Sequence, residues 1–245
     1  MKKYIPLFAI AFLFTLGGCK KSSETYSTIN LSDYSPLTVG KYITYRLDSL
    51  VYLSFGTRDT SISYEVKFVN DADITDNLGR RASRIIRYIR KTAANPWVPD
   101  ATFMAVNDTT SFEFIENNLR YIKLRLPVKD GTNWKGNSYI DTYSLNSELK
   151  YLDDWDYTYE FVGQAETIGT FSLENTLTVN QRDEIIGDPL DPASYSEVNI
   201  SVEKYALGIG LVYRKFFHSE YQPGSPAGYF ADGSYGVTLT MIDHN

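Results

Sequence analysis

The sequence is poor in the residues that most often build disulfides, metal centres and nucleophilic active sites. It contains one cysteine, Cys19, and two histidines, His218 and His244, among 245 residues. A single cysteine allows no intrachain disulfide, and no CxxC pair is present to bind zinc or to carry out redox chemistry. A catalytic serine needs a neighbouring base, and a Ser-His-Asp site would have to use His218. Since the sequence has no Gly-x-Ser-x-Gly turn, we expect no catalytic residue.

Oxygen ligands and paired carboxylates are the remaining candidates for a metal site or for acid–base chemistry. The acids at 153–156 and at 188–191 could offer oxygens to calcium, but their spacing is not that of an EF-hand. Two of the 30 acids could meet in a cleft, as glycoside hydrolysis requires, so a glycan-acting hydrolase is kept as an alternative. No P-loop and no dinucleotide fingerprint occurs. The sequence therefore predicts a protein with no metal, no cofactor and no enzymatic activity.

The first nineteen residues have the layout of a secretory signal followed by a lipidation site. Lys2 and Lys3 precede the uncharged, mostly apolar stretch 4–15, which is shorter than the roughly 20 residues that span a bilayer. Leu16-Gly17-Gly18-Cys19 resembles the lipobox of bacterial lipoproteins. That resemblance implies cleavage after residue 18 and attachment of several acyl chains to Cys19, enough for a stable membrane anchor. Lipidation would also consume the only thiol.

The mature chain divides into a linker and one domain. Residues 19–33 are expected to form the lipidated cysteine and a flexible polar linker that reaches roughly 45 Å at about 3.3 Å per residue. Residues 34–245 are expected to form a single β-rich domain. Removal of residues 1–18 takes away two lysines and no acid, which leaves 22 basic and 30 acidic residues. With no block of five like charges, this acidic domain is not expected to bind nucleic acid.

Hydrophobic alternation with period two is the main structural signal. Residues 62–68 alternate apolar and polar side chains, and residues 112–126 predict a hairpin that turns at Glu116-Asn117-Asn118. Further strands are predicted at 155–163, 169–181, 197–207, 210–221 and 235–243. Residues 80–91 favour a strand over a helix, and 145–152 is the best candidate for a short helix. We predict an all-β fold, a strongly curved antiparallel meander or open barrel of ten to twelve strands with at most one or two short helices. A two-sheet β-sandwich is the alternative.

Three stretches resemble a group of uncharacterised lipoproteins from Bacteroidota. They have the patterns PLxxGxxxxY at 36–45, LPVxxGxxWxGN at 126–137 and YAxGIGLVY at 205–213. The resemblance implies an origin and a place in the cell envelope, and it implies no activity. By the known sorting rules, Lys20 favours the outer membrane, and the periplasmic side is favoured over the cell surface.

Aromatic residues supply the remaining functional signal. They make up 15% of the chain, and Trp97, Trp134 and Trp155 lie in or beside predicted loops, where exposed rings could stack on sugars. The simpler explanation is that tyrosines suit strands and keep their hydroxyls in water. We therefore predict a membrane-anchored, non-enzymatic binding module for a glycan, an apolar ligand or an envelope protein. A structural envelope protein without a small ligand is the alternative.

Overall fold

The computed structural model describes residues 30–225 and 227–245. The predicted signal peptide, Cys19 and residues 20–29 of the predicted linker lie outside these ranges. The described chain begins with a short helix, α1 (Leu31–Tyr34), in which Leu31 and Tyr34 are buried in the core. Residues 31–33, expected to be linker, therefore belong to the folded part.

The rest of the regular secondary structure in the described chain is almost entirely β-strand. One 3₁₀ turn, Lys150–Leu152, occupies the end of the segment predicted as a short helix. Residues 80–91, for which a helix was the alternative, form a strand. The strands are β1 (Tyr42–Leu53), β2 (Arg58–Thr75), β3 (Arg81–Arg90), β4 (Val98–Asn107), β5 (Ser111–Glu116), β6 (Leu119–Arg125), β7 (Asn133–Lys135), β8 (Asp156–Ile168), β9 (Phe171–Gly187), β10 (Ser196–Ala206), β11 (Gly210–Gln222), β12 (Tyr229–Phe230) and β13 (Tyr235–His244).

Twelve of these strands form one antiparallel sheet in the order β6-β5-β4-β3-β2-β1-β13-β11-β10-β9-β8-β7, and β12 pairs with β11. Most neighbours in the sheet are also neighbours in sequence, which is the pattern of a meander. The pairing of β1 with β13 joins the two ends of the described chain. The prediction of a strongly curved antiparallel meander is confirmed, and the two-sheet sandwich is not adopted.

The two edge strands of this sheet, β6 and β7, come together so that the sheet is nearly closed and barrel-like. The Ile122 amide donates a hydrogen bond to the Gly136 carbonyl at 2.9 Å. The Trp134 indole N–H donates to the Ile122 carbonyl at 2.7 Å. Across the same seam, the Tyr159 hydroxyl lies 2.8 Å from the Arg125 amide and 2.9 Å from its carbonyl. These contacts satisfy backbone groups that an open sheet edge would leave unpaired.

Alternation along each strand separates the interior of the barrel from its outer surface. In β1, Ile43, Tyr45 and Leu47 point inward and pack on apolar neighbours, whereas Arg46 and Asp48 form an ion pair on the outside. In the predicted hairpin, Asn117 and Asn118 both adopt positive φ, at 52° and 63°. Two such residues suit the tight turn that joins β5 to β6, so the hairpin prediction is confirmed.

An outer charged cluster fixes the turn between β2 and β3. The Asp76 carboxylate accepts hydrogen bonds from the Leu78 and Arg80 amides and from the Arg80 guanidinium, each at 2.9 Å. Arg80 also contacts Glu113 at 2.8 Å, and Glu113 pairs with Arg120. Burial alone would raise the pKa of Asp76, but these hydrogen bonds and the positive charge of Arg80 lower it.

One end of the barrel is closed by α1 and the residues that follow it. The Ser35 hydroxyl contacts the Leu31 carbonyl at 2.8 Å and the Asn107 side-chain oxygen at 2.7 Å. The Asn70 side-chain amide donates a hydrogen bond to the Pro36 carbonyl at 3.1 Å. The strand directions place the β5–β6 turn and the segment 136–155 at the opposite end.

Candidate functional site

The barrel encloses a cavity of about 490 Å³ toward the end opposite α1. Its size falls in the range of roughly 300–1,000 Å³ that is typical of small-molecule sites. Exposed Asn117 and Glu148 line the cavity at its mouth. A smaller cavity of about 100 Å³ lies against α1, and the two share Phe68, Lys123, Arg214 and Leu239. These four residues form the floor of the larger cavity, while strands from both halves of the chain supply its wall.

Four charged side chains form a cluster at this floor. Lys123 contacts Glu203 at 2.7 Å, and both side chains are almost completely buried. Arg214 contacts Glu116 through two nitrogen–oxygen pairs, each at 3.0 Å. The Arg214 Nε atom lies 3.6 Å from Glu203, which links the two pairs. Two cations and two anions balance, so the cluster carries no net charge.

Neighbouring charges keep Arg214 and Glu116, the partly exposed pair of this cluster, ionised. Burial disfavours the charged form of Arg214, but Glu116 and Glu203 outweigh it and raise the pKa of Arg214. Burial would raise the pKa of Glu116, but Arg214 and Lys123 lower it. The side chains of Arg214 and Glu116 are 19% and 14% exposed, so they are the members of the cluster that a molecule in the cavity can contact. The cavity therefore presents a fixed donor beside a fixed acceptor.

Three polar atoms that belong to residues lining the cavity lack a hydrogen-bond partner within the described residues. They are Gln181 Nε2, Arg214 Nε and Glu116 Oε1. The last two still lie within the ion pairs of the charged cluster, whereas Gln181 Nε2 has no such contact. Gln181 is only 2% exposed and is the extra residue of a β-bulge, since the pairing of β9 with β10 skips it. The Ser201 hydroxyl donates to Gln181 Oε1 at 2.6 Å, which fixes the amide. Bulges commonly redirect a side chain next to a functional site, and a buried polar group without a partner costs about 1–3 kcal/mol.

Aromatic rings form much of the remaining wall of the cavity. Phe216 stacks on Tyr235 with ring centroids 5.0 Å apart and on Trp155 at 6.1 Å. Tyr121 and Tyr151 complete this aromatic wall. Burial raises the pKa of both tyrosines, so their hydroxyls stay protonated and can donate hydrogen bonds. The cavity thus combines flat apolar faces with hydroxyl, amide, guanidinium and carboxylate groups.

The structure does not bring the three tryptophans together. The expectation of exposed rings is wrong for Trp134 and Trp155, which are 4% and 2% exposed. Trp134 is used to close the seam, and the Trp155 indole N–H donates to the Tyr151 carbonyl at 2.6 Å. Trp97 is partly exposed before β4, under the guanidinium of Arg90 at 4.2 Å. Only Trp155 lines the cavity, so ligand contact by this residue stays a prediction.

The other residues considered from the sequence have structural partners. The His218 ring contacts the Asn199 side-chain oxygen at 2.7 Å and stacks on Tyr151 at 3.9 Å. Burial lowers the pKa of His218, against the opposing charges of Glu197 and Glu220. Within residues 30–225 and 227–245, no three His, Cys, Asp or Glu side chains are grouped closely enough to hold a metal ion.

The fold and the cavity define this chain as an all-β protein with a nearly closed, barrel-like sheet around a polar and aromatic interior. No protein-family model, no curated protein and no solved structure matches the chain. In the described part of the chain, none of the helical segments has the length and apolar character needed to cross a membrane.

Proposed function

We propose that this chain is a lipid-anchored protein of the bacterial cell envelope that binds a small molecule inside its barrel and does not catalyse a reaction. The observation that carries the proposal is the cavity of about 490 Å³, whose lining includes the Arg214–Glu116 pair and Gln181, a residue whose buried amide nitrogen lacks a partner. A purely structural protein would gain stability by filling such a space, because interiors are otherwise close-packed. The cavity therefore favours a binding module over a structural protein without a ligand.

The arrangement of acids supports binding rather than hydrolysis. A glycan-acting hydrolase needs two carboxyl groups that both reach the substrate. Glu116 faces the cavity with Arg214, but Glu203 is 1% exposed and is paired with Lys123 and with the Tyr205 hydroxyl. Glu148, the other acid that lines the cavity, lies exposed at its mouth, whereas Glu116 is held in its ion pair with Arg214. A carboxylate held in this way suits recognition of a ligand.

The anchor is proposed from the sequence. Cleavage after residue 18 would leave Cys19 as the lipidated N-terminus, in the outer membrane and on the periplasmic side. The chain enters the barrel at α1, which closes one end, so a tether at Cys19 would hold that end nearest the lipid. The mouth beside Asn117 and Glu148 would then face away from the membrane, where a ligand or an envelope partner can reach it.

Ligand-observed NMR on the full-length protein in lipid nanodiscs tests the binding function. The library should contain neutral, anionic, cationic and apolar small molecules. Ser201→Phe places a ring in the cavity, and Ser172→Phe places the same ring at an exposed position of β9. We expect at least one class to bind the wild type and Ser172→Phe but not Ser201→Phe. Binding by none of the classes, or equal binding by a folded Ser201→Phe variant, would contradict the proposal.

Labelling with radioactive palmitate tests the anchor. The wild type should incorporate label, and Cys19→Ala should not and should accumulate as an uncleaved precursor. Resistance to protease on intact cells, with cleavage after the outer membrane is permeabilised, is the result expected for the periplasmic side. Label in Cys19→Ala would exclude Cys19 as the attachment site.

A further inference from the structure

We infer that the ligand of this cavity is an uncharged ring that carries several hydroxyl groups, of the size of a mono- or disaccharide. This inference rests on the proposed binding function and specifies its ligand. It follows from the charge balance, the hydrogen-bonding groups and the aromatic faces of the cavity.

Charge balance argues against an ionic ligand. Arg214 and Lys123 are matched by Glu116 and Glu203, as described for the floor of the cavity. Arg87, a further cation in the cavity wall, is already paired with Asp100, 2.5 Å from its Nε atom. A charged ligand would therefore bring a charge without a counter-ion into a partly desolvated space, which is costly. At the mouth, Glu148 adds negative charge that disfavours anions in particular.

The hydrogen-bonding groups of the cavity argue against an apolar ligand. Gln181 has a donor without a partner, and the partly exposed pair of Arg214 and Glu116 presents further donor and acceptor groups to the cavity. An acyl chain would satisfy none of them. A hydroxyl group both donates and accepts, so neighbouring hydroxyls on one ring can serve a donor and an acceptor that lie side by side. The adjacent Arg214 and Glu116 provide this pair of groups.

The aromatic wall accounts for the ring. Tyr121, Tyr151 and Tyr235 are the rings of the cavity wall that are not buried, so they can offer a face to a ligand. Phe216 and Trp155 are 6% and 2% exposed, and Phe216 stacks on Tyr235 and supports it. A sugar ring has faces of C–H groups that pack on aromatic faces, while its hydroxyls point outward from the rim. A flexible polyol without a ring could make the hydrogen bonds but would lose more conformational freedom on binding.

Matched rings test the chemical class in the full-length protein in nanodiscs. myo-Inositol and cyclohexanol are both neutral six-membered carbon rings, with six hydroxyls and one hydroxyl respectively. Lactose tests a second ring, and glucuronate tests a charge. Saturation-transfer NMR and titration calorimetry should detect binding of inositol or lactose, and cyclohexanol and glucuronate should bind at least tenfold more weakly.

Two variants tie that binding to the cavity. Gln181→Leu removes the unpaired donor and should weaken binding of the neutral polyol about tenfold, the loss expected for one hydrogen bond. Asn180→Leu is the matched control, since this neighbouring amide lies outside the cavity and contacts Glu160. Tyr235→Phe keeps the ring, removes only a hydroxyl and should weaken binding severalfold, which provides a test if Gln181→Leu does not fold.

The outcomes separate this inference from the proposed function. Preferred binding of glucuronate or cyclohexanol, abolished by Ser201→Phe, would overturn the inference and leave the binding function standing. Unchanged polyol affinity in folded Gln181→Leu and Tyr235→Phe would also overturn it. Absence of binding by every class would count against both.

Discussion

Loss of the buried Lys123 should destabilise the protein strongly, because the Glu203 carboxylate would then have only a more distant positive charge nearby. In Lys123→Met, Glu203 would keep the Tyr205 hydroxyl at 2.8 Å and Arg214 Nε at 3.6 Å, but it would lose its one close cation. Breaking a buried ion pair from one side typically costs 3–5 kcal/mol. The partial contact with Arg214 places the expected cost near the lower limit, at about 3 kcal/mol.

The double variant Lys123→Met/Glu203→Gln separates an unpaired charge from lost packing. Glutamine keeps an oxygen that can accept the Tyr205 hydrogen bond, and the cluster is again neutral. Replacing a buried pair by uncharged groups of similar volume is often close to neutral, so the double variant should lose less than about 1.5 kcal/mol. The two substitutions together should therefore be milder than Lys123→Met alone.

Equilibrium unfolding in urea, followed by fluorescence of the buried Trp134 and Trp155, measures these differences. With a slope of about 3 kcal/mol per molar urea, a loss of about 3 kcal/mol lowers the midpoint by about 1 M. A cost below about 1 kcal/mol for Lys123→Met, or a double variant at least as unstable as the single one, would refute the reasoning, because the carboxylate would then be solvated or neutralised by another group.

Three further predictions concern local features. Gly56 and Gly79 both have a positive φ, of 78° and 77°, but an added Cβ at Gly56 would lie 1.9 Å from the Phe230 carbonyl oxygen, whereas Gly79 has open space around it. Gly79→Ala should therefore lower the stability only by the backbone penalty of about 1–2 kcal/mol. Thermal unfolding should show a clearly larger loss of stability for Gly56→Ala. Asn117→Val should cost about 1–2 kcal/mol and Asn117→Gly only a few tenths, because the hairpin needs positive φ there. The pKa of Asp76 is lowered below 3.8 in the folded protein, so its stabilising contribution is present above about pH 4 and is lost as the pH falls through the pKa of the folded state. The stability of Asp76→Asn should therefore depend less on pH in that range than the stability of the wild type. An unchanged pH dependence of the stability would contradict this role of Asp76.

The strands could be predicted because their signals are local. The alternation at 62–68 lies within β2, and the strands predicted at 155–163, 169–181, 197–207, 210–221 and 235–243 correspond to β8, β9, β10, β11 and β13. The preference for a strand over a helix at 80–91 is confirmed, because its β-branched residues pair with both β2 and β4. In contrast, the helix predicted within 145–152 is reduced to a 3₁₀ turn at its end, Lys150–Leu152, in which Leu152 is buried.

The cavity residues could not be identified in the same way, because their roles arise from contacts between distant strands. Lys123 and Glu203 are 80 residues apart, and Glu116 and Arg214 are 98 residues apart. The one available signal was a charged residue on the inward face of an alternating strand, as in Glu203 between Ser201 and Tyr205. Nothing local indicates the bulge at Gln181, since its pairing depends on β10. Trp134 was assigned to a loop because β7 has only three residues.

The expectation that tyrosine hydroxyls stay in water is wrong for the tyrosines of the core, although most of the described tyrosines are not buried. Tyr45, Tyr157, Tyr159 and Tyr205 are at most 2% exposed, so their hydroxyls do not reach water. Each hydroxyl is instead satisfied inside, for example that of Tyr45 by the Leu211 carbonyl at 2.7 Å and that of Tyr157 by the Asn137 oxygen at 2.8 Å.

A barrel of twelve strands is too wide for aliphatic side chains alone to fill. Long rings that end in a hydroxyl can reach toward the axis from opposite walls and still meet polar partners there. Such residues fill the half of the interior next to α1, where only about 100 Å³ stays open. In the other half, the wall residues Tyr121, Tyr151 and Tyr235 leave about 490 Å³ free. Because one residue type can both fill and line the interior, the same composition serves a rigid base and a polar binding chamber.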